Sequence, residues 1–398
     1  MLSIILLVEC SVMKKLVPVL LLLLAMFPAL AQLKSETFIT RYGNLDNTWY
    51  QISARKQATV AFLGGSITNM EGWRGKVGDY LARTYPATVF SLLNAGIPSL
   101  GSLPHAFRLQ QDVLDKGRVD LLFVEAAVND KVNSTPAAVQ RRALEGIIRH
   151  ALIANPHMNI VLMAFVDEDK MADYRAGKVP AEVALHEEMA RRYQLPFVDL
   201  AKEVTTRIDA GEFSWKNDFK DLHPSPFGQE IYFNTIRQLL DSAFNRPAPR
   251  KVVAAKIPAV TDPFNYANGQ YVDVHTANHL QDFVVDESWK PSDKVHTRPG
   301  FVEVPMLVSG TTAASFELPF TGRTVGVALL SGPDAGVIRY SIDGKPEQQI
   351  DTRTQWSRSL YLPWYLVLGD GLTTGPHTLK ITTVSGSVCR IVHFLVNQ

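Results

Sequence analysis

The sequence predicts a doubly wound parallel-sheet α/β/α sandwich followed by an all-β sandwich of jelly-roll type. Three observations carry this. Between residues 56 and 244, short apolar runs alternate with stretches of helical period. Beyond residue 251 the period changes from 3.6 to 2. Between the two lies Asn245-Arg246-Pro247-Ala248-Pro249-Arg250-Lys251, polar and proline-punctuated as linkers are.

The first strand is Thr59-Val60-Ala61-Phe62-Leu63, ending at Gly64-Gly65; similar runs follow at 88–93, 119–125, 159–165 and 196–199. Runs this continuously apolar suit parallel strands covered on both faces. The clearest helix between them places Leu144, Ile147, Ile148, Ala151 and Leu152 on one side. Strand-helix alternation of this kind builds an open doubly wound sheet. In the second half, strands are expected at 325–330, 336–342, 377–382 and 390–396, with a hairpin turn at Asp343-Gly344. Short strands broken by Gly and Pro turns imply a sandwich.

At 398 residues, 46% of them apolar and 20% charged, the chain is long enough for two globular domains. A formal charge of +1 gives no electrostatic reason to expect nucleic acid as a partner. The N-terminus reads as an export leader. Lys14 and Lys15 precede an apolar run at 17–27, and Ala29-Leu30-Ala31 supplies a small-x-small cleavage site. No later stretch is long and apolar enough to span a bilayer. The expected layout is a signal peptide at 1–31, an extension at 32–55, an α/β domain at 56–244, a linker and domain start at 245–285, and the β-sandwich at 286–398. Export to periplasm, cell surface or medium follows. Of the two cysteines, Cys10 and Cys389, cleavage leaves only the second, so neither a disulfide framework nor a cysteine metal site is expected.

Open α/β sheets bind ligands beyond the carboxyl ends of their strands. Polar residues gather there in three loops: Gly64-Gly65-Ser66-Ile67-Thr68, then 94–102 from Asn94 to Ser102, then Ala127-Val128-Asn129-Asp130; late in the domain, apart from these, stands a fourth polar segment, Asp221-Leu222-His223-Pro224-Ser225. Ser225 is placed to cap a helix begun by Pro226.

In these four segments the sequence resembles the SGNH (GDSL-like) hydrolase superfamily, whose blocks contribute Ser, Gly, Asn and His in that order. The resemblance covers 56–244 and implies a flavodoxin-like sheet and a serine esterase. It implies Ser66 as nucleophile, His223 as general base, and an oxyanion hole from the N–H groups of Ser66 and Ser99 with the Asn129 side chain. A serine hydroxyl is a weak nucleophile until an imidazole takes its proton, and the tetrahedral oxyanion needs preorganised donors. Two positions depart from the family pattern. Ser99 stands where a glycine is usual, with Gly96 and Gly101 as alternatives if the loop is shifted. Lys220 stands where the family has aspartate, three residues before the histidine. Asp221 is the expected third member if 220–223 is extended; Asp218 and a Ser-His dyad are the alternatives.

Every matched block lies within 56–244, so that part alone is expected to carry the chemistry. Trp73 and Arg74 are candidates for an acyl pocket or for core. Trp356, Tyr361, Trp364 and Tyr365 are candidates for a sugar-stacking platform or for sandwich core. No nucleotide, dinucleotide or His-Glu-x-x-His zinc motif is present, and no cofactor or metal is expected. Joined to a β-sandwich in an exported chain, the domain resembles acetylesterases of glycan-degrading bacteria, which implies an acylated carbohydrate as substrate. A lipid esterase or lysophospholipase, and a glycan-binding protein with a vestigial site, are the alternatives.

Overall fold

The five apolar runs of the first half form the parallel part of a six-stranded sheet. In the computed structural model, which describes residues 33–398, its strands are β1 (Ile39–Arg41), β2 (Gln57–Gly64), β3 (Val89–Gly96), β4 (Leu121–Glu125), β5 (Asn159–Ala164) and β6 (Pro196–Asp199). The expected leader at 1–31 lies outside the described residues. The strand order is β1-β6-β5-β4-β2-β3. From β3 to β6 this is the 2-1-3-4-5 doubly wound order, and its direction reverses at β2.

Alternate residues of the same strands enter two separate cores. Phe62 and Phe123 pack with Trp73 and Leu239 from the helices Trp73–Thr84 and Pro226–Phe244. Ala61 and Leu122 pack on the other face with Phe107, Leu144 and Met189, from the helices Ser102–Asp112, Ala137–Ala154 and Ala181–Tyr193. Both faces of β2, β4 and β5 are dry, which explains their uninterrupted apolar runs, whereas β3 is the sheet's edge and leaves Val89 and Leu92 exposed, contrary to the expectation of a fully covered strand. The short β1 pairs antiparallel with β6, Ile39 opposite Val198. Three residues are too few to give a periodic signal, which is why a strand there was not expected.

The remaining strands are β7 (Gly269–Val272), β8 (Asn278–Gln281), β9 (Phe283–Trp289), β10 (His296–Thr297), β11 (Val304–Ser309), β12 (Ser315–Thr321), β13 (Thr324–Ser331), β14 (Val337–Ile342), β15 (Gln348–Asp351), β16 (Leu360–Gly369), β17 (Pro376–Thr383) and β18 (Arg390–Asn397). One sheet runs β10-β16-β13-β18-β11-β9 with β7 also on β18; the other runs β15-β14-β17-β12-β8. Pairing is antiparallel except between β10 and β16. Val325, Val327 and Leu329 of β13 face Phe316, Leu318 and Leu379 of the second sheet, which makes the sandwich core. Asp343 and Gly344 have φ of 55° and 68°, as a tight hairpin turn requires.

All eight residues of β13 are buried, although a sandwich strand normally shows one face to water. Its outer face, through Ala328 and Leu330, joins the core that contains Phe107. The two domains are thus welded by apolar contact within one compact unit, Ser35–Gln398. Phe107 meets Tyr266 at 5.2 Å between ring centroids. Arg142 bonds Asp262 at 2.6 Å and Asp370 at 2.5 Å. The segment after residue 245 is likewise fastened to the first domain. Val253 N–H donates to Asn47 Oδ1 at 2.8 Å, Ala255 N–H to the Pro156 carbonyl at 2.7 Å, and Arg149 Nη1 to the Pro258 carbonyl at 2.8 Å. Among the described residues no helix is long and apolar enough to cross a membrane.

Candidate active site

The sheet order reverses at β2, and the predicted nucleophile, Ser66, is the second residue past its end. Ser66 opens a short helix, Ser66–Asn69, so its own N–H has no acceptor within that helix. Gly65 has to be glycine for a steric reason: an added Cβ would lie 2.0 Å from Asn129 Nδ2. That close approach puts the Asn129 amide beside Ser66. Asn129 comes from the first turn of the helix Ala127–Val132, which follows β4.

His223 reaches the same point from the far end of the domain. Its Nε2 stands 2.8 Å from Ser66 Oγ. The segment that carries it is held by Ser225, whose hydroxyl accepts from Gly228 N–H at 3.3 Å and caps the Pro226–Phe244 helix. Burial holds the His223 imidazole below its usual range; Lys220 and Arg298 push the same way and Asp221 opposes them. The neutral, proton-accepting form is therefore dominant at neutral pH.

The aspartate contact expected from an extended 220–223 segment is not made. Lys220 has φ of 93°, and the chain turns there instead. The Asp221 carboxylate folds onto its own backbone, with Oδ1 accepting from His223 N–H at 2.6 Å and lying 3.8 Å from Nδ1. At 3.8 Å this is a charge contact and not a hydrogen bond. Asp218 points elsewhere, its Oδ2 accepting from Ser214 N–H at 2.7 Å and Ser214 Oγ at 2.9 Å. Ser66 and His223 stand as a bonded pair, with the Asp221 carboxylate 3.8 Å from the ring.

Ser99 occupies glycine's territory. Its φ is 73°, left-handed, where a side chain costs about 1–3 kcal/mol. Two bonds hold it there: its carbonyl accepts from Asn133 Nδ2 at 2.9 Å, and its hydroxyl accepts from Arg298 Nη2 at 3.1 Å. Gly101 serves a different purpose, leaving room for Asp130, whose Oδ1 accepts from Ser102 N–H at 2.8 Å and Ser102 Oγ at 2.9 Å. Asp130 and Glu125 lie sealed beneath the site, and burial pushes each carboxyl up to about 7.

Ser66, Ser99, Asn129 and His223 line one cavity of about 370 Å³. Part of its wall is apolar, from Val128, Val132 and Leu222. The rest of the wall was not foreseen, because Arg298, Trp356, Leu360 and Leu362 belong to the second domain. Residues 56–244 therefore do not enclose the site by themselves. Of the four aromatics considered for sugar stacking, Tyr361 and Tyr365 are buried in the interdomain core. Trp364 lines an adjoining cavity of about 310 Å³ that shares Ser99 and Asn133 with the first. Only Trp356 faces Ser66's cavity. Trp73 is fully buried against Phe62, Phe123 and Phe165, and Arg74 bonds the Thr68 carbonyl; neither lines the cavity.

A doubly wound sheet with a serine and a histidine joined at its switch point defines the class, that of an ester hydrolase. Residues 62–231 match the model of the GDSL-like lipase/acylhydrolase family. Over the whole chain, the fold is similar to the crystal structure of a two-domain esterase active on acetylated mannans. The TM-score is 0.76 at 21% identity, covering 92% of this chain and 99% of that one. A structure of that kind of esterase co-crystallised with mannopentaose gives 0.75 at 21% identity, over 92% and 98%. No curated protein sequence matches the chain.

Proposed function

We propose that this chain is an exported esterase that removes small acyl groups, acetyl above all, from carbohydrate. The observation that carries the chemistry is the 2.8 Å contact between Ser66 Oγ and His223 Nε2 inside a cavity that also holds Asn129. On this reading His223 takes the Ser66 proton as Oγ attacks the acyl carbonyl. The carbonyl oxygen becomes an oxyanion, received by the Asn129 amide and the N–H groups of Ser66 and Ser99. Collapse of the intermediate transfers the His223 proton to the departing sugar oxygen and leaves acyl-Ser66. Water then adds with His223 again as base, releasing the acid. Asp221 stabilises the imidazolium by charge at 3.8 Å and holds the His223 backbone.

The substrate class is supported by the similar fold of a mannan-active acetylesterase and by a cavity whose wall includes an indole. Export is supported by the leader pattern at 1–31. The test is turnover of p-nitrophenyl esters of graded chain length by the wild type and Ser66→Ala. Acetyl is expected to exceed octanoyl by at least ~10-fold in kcat/KM, whereas an open groove would gain ~0.8 kcal/mol per buried CH₂. Ser66→Ala is expected to leave only a residual rate from the oxyanion hole. Faster octanoyl turnover would make it a lipid esterase; a Ser66→Ala enzyme with most of its activity would refute the site.

A further inference from the structure

The wall that the second domain adds to the cavity carries a positive charge that no acid among the described residues balances. Arg298 follows β10 and lines the cavity with Ser66 and His223. Its one hydrogen bond among the described residues is from Nη2 to the neutral Ser99 hydroxyl, at 3.1 Å. Among the described residues no carboxylate is paired with it, and its Nε is shut off from solvent without an acceptor. Arg298 is partly buried, and other buried or partly buried arginines of this protein are treated differently. Arg108 is paired with Asp112, Arg142 with Asp262 and Asp370, Arg207 with Glu203 and Glu212, and Arg390 with Asp334. A guanidinium taken out of water without an anion is costly, and the protein avoids that cost elsewhere.

The surroundings strengthen the charge. Lys220 and Arg298 both act on the His223 ring as cations, and the acid that acts against them, Asp221, is already engaged by the His223 N–H. Burial draws the Arg298 guanidinium below its ordinary value, with no acid nearby to restore it. Beside it the wall is apolar: Trp356, Leu360 and Leu362. A ligand matched to this wall has a ring with a C–H face for the indole and a carboxylate for the guanidinium fork.

We propose that the glycan whose ester is cleaved here is acidic, a uronic-acid carboxylate on or next to the acylated sugar being bound by Arg298. This rests on the esterase reading above and narrows its substrate class. The Ser99 bond leaves Arg298 Nη1 without a partner, so an incoming carboxylate need not break the tether that holds the strained Ser99 loop.

The experiment is competition against p-nitrophenyl acetate hydrolysis by the full chain. The competitors are trimers of galacturonate, glucuronate and mannuronate, each beside its carboxyl-reduced neutral counterpart. At least one acidic trimer is expected to inhibit at a concentration tenfold or more below its neutral partner. The gap should narrow at 0.5 M salt relative to 0.05 M, as an ion pair open to solvent requires. It should close in Arg298→Gln and persist in part in Arg298→Lys, which keeps the charge without the fork. Equal inhibition by acidic and neutral trimers in the wild type would overturn the proposal whatever the variants do. So would an acidic preference that survives in folded Arg298→Gln. These failures are distinct from failure of the esterase reading, which shows as p-nitrophenyl acetate turnover that does not depend on Ser66.

Discussion

Asp221→Asn separates a Ser-His pair assisted by a nearby charge from a hydrogen-bonded triad. The substitution keeps an oxygen for the His223 N–H, which Asp221 Oδ1 accepts at 2.6 Å, so the local backbone is expected to stay in place. What it removes is a negative charge 3.8 Å from His223 Nδ1. At that distance Coulomb's law gives about 1 kcal/mol in a water-like dielectric and about 4 kcal/mol at an effective dielectric of 20. Both side chains are about half exposed, 47% and 51%, so solvent screening holds the value near the lower figure. About 1 kcal/mol of imidazolium stabilisation corresponds to a loss of roughly fivefold in kcat. A triad aspartate bonded to Nδ1 costs about 10⁴-fold when changed to Asn. The assay is kcat on p-nitrophenyl acetate from pH 5 to 9. Removing the anion also makes His223 harder to protonate, so the acid limb of the variant should move to lower pH. A loss of 10³-fold or more would show that the carboxylate swings onto Nδ1 in the reacting complex, and the 3.8 Å contact would not be the working geometry.

The parts of this protein that were legible in the sequence are those written as local pattern. The 196–199 run is a strand over those same residues, and Ser225 caps the helix that Pro226 opens. Ser66, Asn129 and His223 were named from the family resemblance of their loops, and all three line one cavity, Ser66 and Asn129 just past β2 and β4 and His223 ahead of the Pro226–Phe244 helix. The Asp221 contact was misjudged for a local reason with no sequence signature. A lysine at φ 93° reverses the chain, and a free carboxylate beside an unpaired N–H turns back to take it. The second domain's share of the site was invisible for a tertiary reason. β13 reads as an ordinary sandwich strand until its outer face meets Phe107, and that packing brings Arg298 and Trp356 to Ser66. Neither residue stands in a motif, and no periodicity in one domain encodes its approach to another.

Because burial holds His223 low, the acid limb of kcat/KM should have its midpoint below about 6.5, the ordinary imidazole value; a midpoint at 7 or above would contradict the site's electrostatics. Asp130 and Glu125 make a second pH prediction. Unfolded, each carboxyl loses its proton near pH 4; folded, each holds it to about 7, so the native state binds more protons in between. Stability should therefore fall as pH rises from about 4 to 7, by up to ~1.4 kcal/mol per pH unit for each group, and level off above. Asp130→Asn keeps the acceptor for Ser102 and should flatten its share of that slope in urea titrations at pH 5, 6 and 7; an unchanged slope would show that Asp130 ionises normally. The last prediction concerns the first domain expressed alone, as residues 33–246. Its matched loops are all present, yet the cut uncovers Phe107, which is fully buried in the whole chain, and the apolar surface around it. An aromatic side chain of this kind gains about 1.5–3 kcal/mol from burial, and a contiguous apolar patch promotes association. The cut also removes the fastening of 253–258 and deprives Ser99 of the Arg298 bond that helps hold its left-handed backbone. The fragment should therefore aggregate, or, where a soluble fraction is recovered, hydrolyse p-nitrophenyl acetate with kcat/KM at least tenfold below the full chain. Size-exclusion chromatography and the ester assay decide it. A monomeric fragment within twofold of full activity would mean that the second domain neither completes the cavity nor braces the Ser99 loop.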